Sequence, residues 1–176
     1  LPLDLPKYLG EGIKTKLVPI VSSARAAAIV CKKWKQNYNY LPDALVVEGP
    51  KAGGHLGFKS EDQLYTDNNS LENLVSDVLQ VSREMKEKYD KDIPVIAAGG
   101  IYSGKDMYQI MQRGAAAVQL GTRFVATEEC DASFEFKNAL VEAQEKDVKI
   151  IKSPVGMPGR TINNNFLNEA YEGKRR

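Results

Sequence analysis

Four short apolar runs, each leading into a loop bearing glycine or serine and then into a helical pattern, constrain this 176-residue chain more than any other feature. They cover residues 17–21, 44–47, 94–98 and 116–120. Strands that read as near-continuous apolar segments, with no polar alternation, belong to parallel sheets covered on both faces. The intervening helices show their own period. Ala24, Ala27, Ala28, Cys31 and Trp34 mark one helical face behind Ser23, and Leu71, Leu74, Val75, Val78, Val81 and Met85 mark another behind Ser70. Ser103 and Asp106 have capping-box spacing ahead of Met107, Ile110 and Met111, and Gly114 closes that helix. A last helix is expected from about Ser133 to Gln144. Pro19 has no N–H for a ladder, so a bulge is expected in the first strand.

Strand and helix alternate at the spacing of βα units. A complete (β/α)₈ barrel takes about 250 residues, and four units make about half of one. An open doubly wound sheet fits the count equally well, but its G-x-G-x-x-G fingerprint after the first strand is absent, which favours the barrel. The expectation is an α/β chain of parallel (β/α) units forming strands 5–8 of a TIM barrel. Residues 1–176 would then be a partial barrel whose N-terminal half lies outside this sequence, in keeping with its opening Leu1-Pro2-Leu3-Asp4.

Composition excludes several classes of function. With 24 Lys+Arg against 23 Asp+Glu, the net charge of +1 gives no footprint for nucleic acid, and Lys174-Arg175-Arg176 is only a basic tail. No apolar run approaches the roughly 18 residues of a membrane span. Cys31 and Cys130 match no metal or redox spacing and read as reduced packing thiols of a cytoplasmic protein; no metal is expected.

The chemistry concentrates at strand ends. Ala98-Gly99-Gly100-Ile101 and Gln119-Leu120-Gly121-Thr122-Arg123 follow consecutive strands. Barrels commonly hold phosphate in the loops after strands 7 and 8, through backbone N–H groups that no Cβ shields. Either glycine pair alone is more often a tight turn; together, with the Thr122 hydroxyl, they point to phosphate. A third loop, residues 48–57, carries Gly53-Gly54-His55 after another strand end. His55 is the chain's one histidine, and a histidine on a loop at the catalytic face of a barrel favours proton transfer over packing. Arg123 suits phosphate or a neighbouring carboxylate equally.

Ala52-Gly53-Gly54-His55-x-Gly57, Pro94-Val95-Ile96-Ala97-Ala98-Gly99-Gly100-Ile101 and Val118-Gln119-Leu120-Gly121-Thr122-Arg123-Phe124 resemble the nitronate monooxygenase family, to which FMN-dependent enoyl-ACP reductases are close. The likeness runs from about Lys16 to Arg160 and includes the segment from Ser153 to Arg160. It implies an FMN oxidoreductase whose cofactor phosphate is held at Gly100 and at Gln119, Leu120, Gly121 and Thr122, with Glu48 and Gly53 beside the flavin and His55 as catalytic base. Glu48 stands where the family often has Gln, and Lys51 where an acidic residue is common. The implied reaction is oxidation of a nitronate or nitroalkane with O₂; the alternatives are an NAD(P)H-dependent enoyl-ACP reductase and a non-enzymatic phosphate-binding or interaction fragment. The partner is a small-molecule substrate, with neither nucleic acid nor membrane, and open strand edges would suit a homo-oligomer.

Overall fold

The computed structural model describes residues 1–58, 60–153 and 156–171. Pro154 and Val155, within the motif ending at Arg160, and the basic tail lie outside the described residues. Four strands form a parallel sheet in chain order: β1 (Ile20–Val21), β2 (Leu45–Glu48), β4 (Val95–Ala98) and β5 (Ala117–Gln119). Ile20 pairs with Val46, Val46 with Ile96 and Ile96 with Ala117. The parallel α/β arrangement expected from the apolar runs is the one found.

Helices α1 (Ala24–Tyr38) and α2 (Leu71–Tyr89) connect the first three of these strands, and α3 (Gly104–Gln112) connects β4 to β5. The serines start them as their positions suggest. Ser23 accepts from the Ala26 amide and Ser70 from the Asn73 amide, while Ser103 and Asp106 close a full capping box. Both α1 and α2 end at residues in the left-handed region, Asn39 and Asp90. Ala27, Val30, Cys31 and Trp34 bury one face of α1, and Leu74, Val75, Val78 and Val81 one face of α2. With Leu45, Val47, Val95 and Ala97 most of these side chains form the main core; Trp34 and Val30 close a smaller one with Leu17.

Three expectations need correction. The first strand starts after Pro19 instead of bulging around it: the Pro19 carbonyl still accepts from the Val46 amide at 3.0 Å, but the missing N–H shortens the ladder to two residues. The sheet is not covered on both faces throughout, since Ala117 and Gln119 of β5 are exposed. Cys130 is half-exposed and not packed, whereas Cys31 is buried, which pushes its thiol up to about 11.

A second, antiparallel sheet was not foreseen. β6 (Val148–Lys152) and β7 (Pro158–Ile162) form a hairpin, and β7 pairs with β3 (Gly54–His55), so the glycine-histidine segment is part of a sheet and not a free loop. The short helix α4 (Thr122–Val125) follows β5 directly, then α5 (Phe134–Glu142), capped by Ser133, and finally α6 (Asn165–Tyr171). None of the α5 residues is buried, and Phe134, Phe136 and Val141 are exposed.

Candidate active site at the strand ends

The C-terminal ends of β2, β4 and β5 open onto one cavity of about 460 Å³. Glu48, Gly53, Gly100, Gln119, Leu120, Gly121 and Thr122 all line it. The structure thus brings together every residue singled out for the cofactor. It does not bring His55 to the same wall: that residue is exposed on β3, where its backbone pairs with Gly159, while the neighbouring Gly53 lines this cavity and Gly54 a second one.

Backbone shape explains the glycines after β4. Gly99 and Gly100 have φ of 91° and 80°, the left-handed region in which a side chain is strained. A Cβ on Gly100 would also lie 2.8 Å from the Lys51 Cβ, and one on Gly99 3.0 Å from Ala52. The loop after β2 therefore lies directly against the loop after β4. Gly53 and Gly121 differ, for nothing stands within 4 Å of where their Cβ atoms would be. Both line the cavity, so the space a side chain would take is open to a ligand.

Arg160, on β7, holds the loop after β2. Its Nε donates to the Ala52 carbonyl at 3.1 Å and a terminal nitrogen to the Pro50 carbonyl at 2.7 Å. Sequence reasoning placed this arginine inside a family motif but gave it no role. No local pattern pointed to it, since its carbonyl partners lie 108 and 110 positions away. Gly57 is tied in a different way, since a Cβ there would collide with the Ser22 hydroxyl at the end of β1.

The charges around the cavity are unevenly satisfied. Arg123 lies over the Tyr102 ring, 4.5 Å from its centroid, and makes no ion pair with a carboxylate among the described residues. Glu48 is half-buried, and burial raises its carboxyl above the usual carboxylate range. A second cavity of about 580 Å³ adjoins the first, sharing Lys51, Gly53, Thr122 and Val125. Phe136, Ala139, Leu140 and Ala143 line it at helical spacing, so the apolar stripe of α5 faces this space and not a core. Among the described residues no cluster of His, Cys, Asp and Glu suits a metal ion, and no helix is long and apolar enough to cross a membrane.

Known proteins share this architecture. The family model for nitronate monooxygenase matches residues 11–176. A probable nitronate monooxygenase of Staphylococcus aureus is 37% identical over 135 residues, covering 74% of this chain and 35% of that protein. One from Staphylococcus saprophyticus is 33% identical over 130 residues, covering 74% of this chain and 34% of that protein. Among solved structures, FabK from Thermotoga maritima superposes with a TM-score of 0.70 at 32% identity, over 97% of this chain and 47% of FabK. A nitroalkane oxidase from Streptomyces ansochromogenes gives 0.66 at 30% identity, over 88% and 40%. The chain therefore spans about a third of the curated relatives' length and under half of these structures, within which its parallel sheet is part of a TIM-barrel fold. On the extent of the family match, this chain is a member of the nitronate monooxygenase family.

Proposed function

We propose that the chain is strands 5–8 of an FMN-dependent (β/α)₈ oxidoreductase and that its parent enzyme oxidises nitronates or nitroalkanes with O₂. The observation that carries this reading is the single cavity at the ends of β2, β4 and β5, lined together by Glu48, Gly53, Gly100 and residues 119–122. Its glycines fit a phosphate-bearing flat ligand. The left-handed turn at Gly99-Gly100 presents backbone where a side chain would be strained, and Gly53 and Gly121 leave room for close approach.

In this reading Gly100, Gln119, Leu120, Gly121 and Thr122 hold the phosphate, and Glu48 and Gly53 border the ring. Arg160 fixes the backbone carrying Gly53 by engaging the Pro50 and Ala52 carbonyls. When bound, FMN supplies the redox chemistry. His55 lies outside the cavity lining but follows Gly54, which borders the second cavity, and it is assigned the α-proton of a neutral nitroalkane that approaches from that side. Lys51, on the walls of both cavities, gives an anionic nitronate a cation between them.

The likeness to FabK supports a second reading, an NAD(P)H-dependent enoyl-thioester reductase built on the same pocket. Anaerobic mixing of FMN-loaded protein with NADH or NADPH, and separately with a nitronate, separates the two. Bleaching of the flavin by nitronate and not by nicotinamide is expected; bleaching by nicotinamide alone would make the protein a reductase. Protein that takes up inorganic phosphate but no flavin would be a phosphate-binding module without redox function. His55→Ala should slow turnover of a neutral nitroalkane far more than that of a preformed nitronate, and equal losses would remove His55 from the proton-transfer step.

A further inference from the structure

Glu48 is the last residue of β2 and is held by the neighbouring strand β4. Its backbone is in register with Ala98 of β4, and the next amide, Gly49 N–H, donates to the Ala98 carbonyl at 2.9 Å. The residue lines the cavity. The cations nearby are engaged elsewhere: Arg123 lies on the Tyr102 ring, and Arg160 binds the Pro50 and Ala52 carbonyls. Lys51, on the same wall, makes no ion pair with Glu48 among the described residues. Among the described residues no charged partner offsets its partial desolvation, and burial moves the carboxyl upward.

An ionised carboxylate only accepts hydrogen bonds, whereas a neutral carboxylic acid donates one and accepts another, as a primary amide does. A flavin ring offers uncharged carbonyl and nitrogen acceptors beside one N–H donor, and an anion facing the acceptors with no donor between would repel. We propose that Glu48 binds flavin as a neutral carboxylic acid, donating a hydrogen bond from its O–H to an acceptor atom of the ring, so that flavin binding takes up a proton wherever the free carboxyl is ionised. This rests on the reading of the cavity as a flavin site. It makes Glu48 a positioning residue that reads the ring's hydrogen-bonding edge, and it makes cofactor retention sensitive to pH.

Linkage sets the sign. If only the protonated form binds well, affinity is constant below the carboxyl's pKa in the free protein, then falls by up to about tenfold per pH unit above it. The test is titration with riboflavin, which has no phosphate to titrate, and with FMN, followed by flavin fluorescence from mildly acidic to mildly alkaline pH. Glu48→Gln keeps donor, acceptor and shape but cannot ionise. It also leaves Lys51, Tyr102 and Arg123 on the wall and His55 and Arg160 behind it, so any titration of those groups appears in both proteins.

The wild-type protein should lose affinity with rising pH, while E48Q should bind at all pH values about as tightly as wild type does in acid. At a pH above the free carboxyl's pKa, calorimetry in buffers of different ionisation heat should count up to one proton taken up by wild type and none by E48Q. Should E48Q fail to fold, the carbon resonance of the Glu48 carboxyl gives the same test, because riboflavin must move its midpoint upward. A flat wild-type profile, or equal slopes in the two proteins, overturns the proposal while leaving the flavin site in place. Absence of flavin binding at every pH overturns the flavin site itself and this proposal with it.

Discussion

The two ends of β2 carry acidic residues five positions apart, Asp43 just before the strand and Glu48 at its close, and they are treated in opposite ways. The Asp43 side chain is 13% exposed yet fully partnered: it accepts from the Leu17 amide at 2.9 Å and from the Tyr40 hydroxyl, and Lys16 lies 3.3 Å away. Burial pushes its carboxyl up, but these partners outweigh burial and hold it below the usual range. The same contact, with burial, raises the Tyr40 hydroxyl to about 12. Glu48 has burial and nothing against it. The entry end of the strand is built for cohesion, and the exit end carries a carboxyl with no charged protein partner among the described residues where a ligand can reach it, the division expected between the two faces of a (β/α) barrel.

The largest effect should come from Asp43→Ala. It strands the Leu17 amide and the Tyr40 hydroxyl, and loss of a charged acceptor from largely buried donors costs about 2–3 kcal/mol, measurable as a lower urea midpoint. Flavin affinity should be unaffected. The lowered carboxyl also sets a direction with pH: Asp43 contributes stability above the ordinary aspartate range and loses it as pH falls through its lowered value. A D43A protein as stable as wild type would erase the contrast between the two ends.

Two glycine substitutions sharpen the exit end. Gly100→Ala should cost about 1–2 kcal/mol, because φ is 80° and the new methyl meets the Lys51 Cβ. Gly121→Ala has open space and an ordinary φ of −114°, so stability should change by less than about 0.5 kcal/mol. Both should weaken FMN binding. If G121A binds FMN as well as wild type does, that glycine is a turn residue only.

A small effect of opposite sign separates the two carboxylates themselves. A raised carboxyl contributes fully below its unfolded pKa and loses that contribution as pH rises through the folded value, so ionised Glu48 weakens the fold at neutral pH. Glu48→Gln should therefore be more stable than wild type at neutral pH, by less than about 1 kcal/mol after solvent screening, and equal to it in acid. Paired urea titrations at the two pH values decide this.

Much of this contrast was legible in the residues. Apolar runs fixed the four parallel strands, and Ser23, Ser70, Ser103 and Ser133 marked four helix starts, because both signals are local. The glycines at the ends of β4 and β5 pointed to one site because strand ends in a parallel sheet lie together. What escaped was long-range. Arg160 reaches carbonyls 108 and 110 positions away, and β3 exists only because β7 returns to pair with it. A two-residue strand around Gly54 carries no period to read. The position of His55 outside the cavity lining followed from that pairing, and the Arg123–Tyr102 contact from a turn that no spacing rule encodes.

The account turns on where FMN binds, and amide chemical-shift mapping of the protein during FMN titration tests that most directly. The largest perturbations should fall on Gly99, Gly100, Gly121 and Thr122, with smaller ones at Gly53 and Glu48 and none at Leu17 or Asp43. Perturbations confined to the entry end of the sheet, or none at saturating FMN, would contradict it.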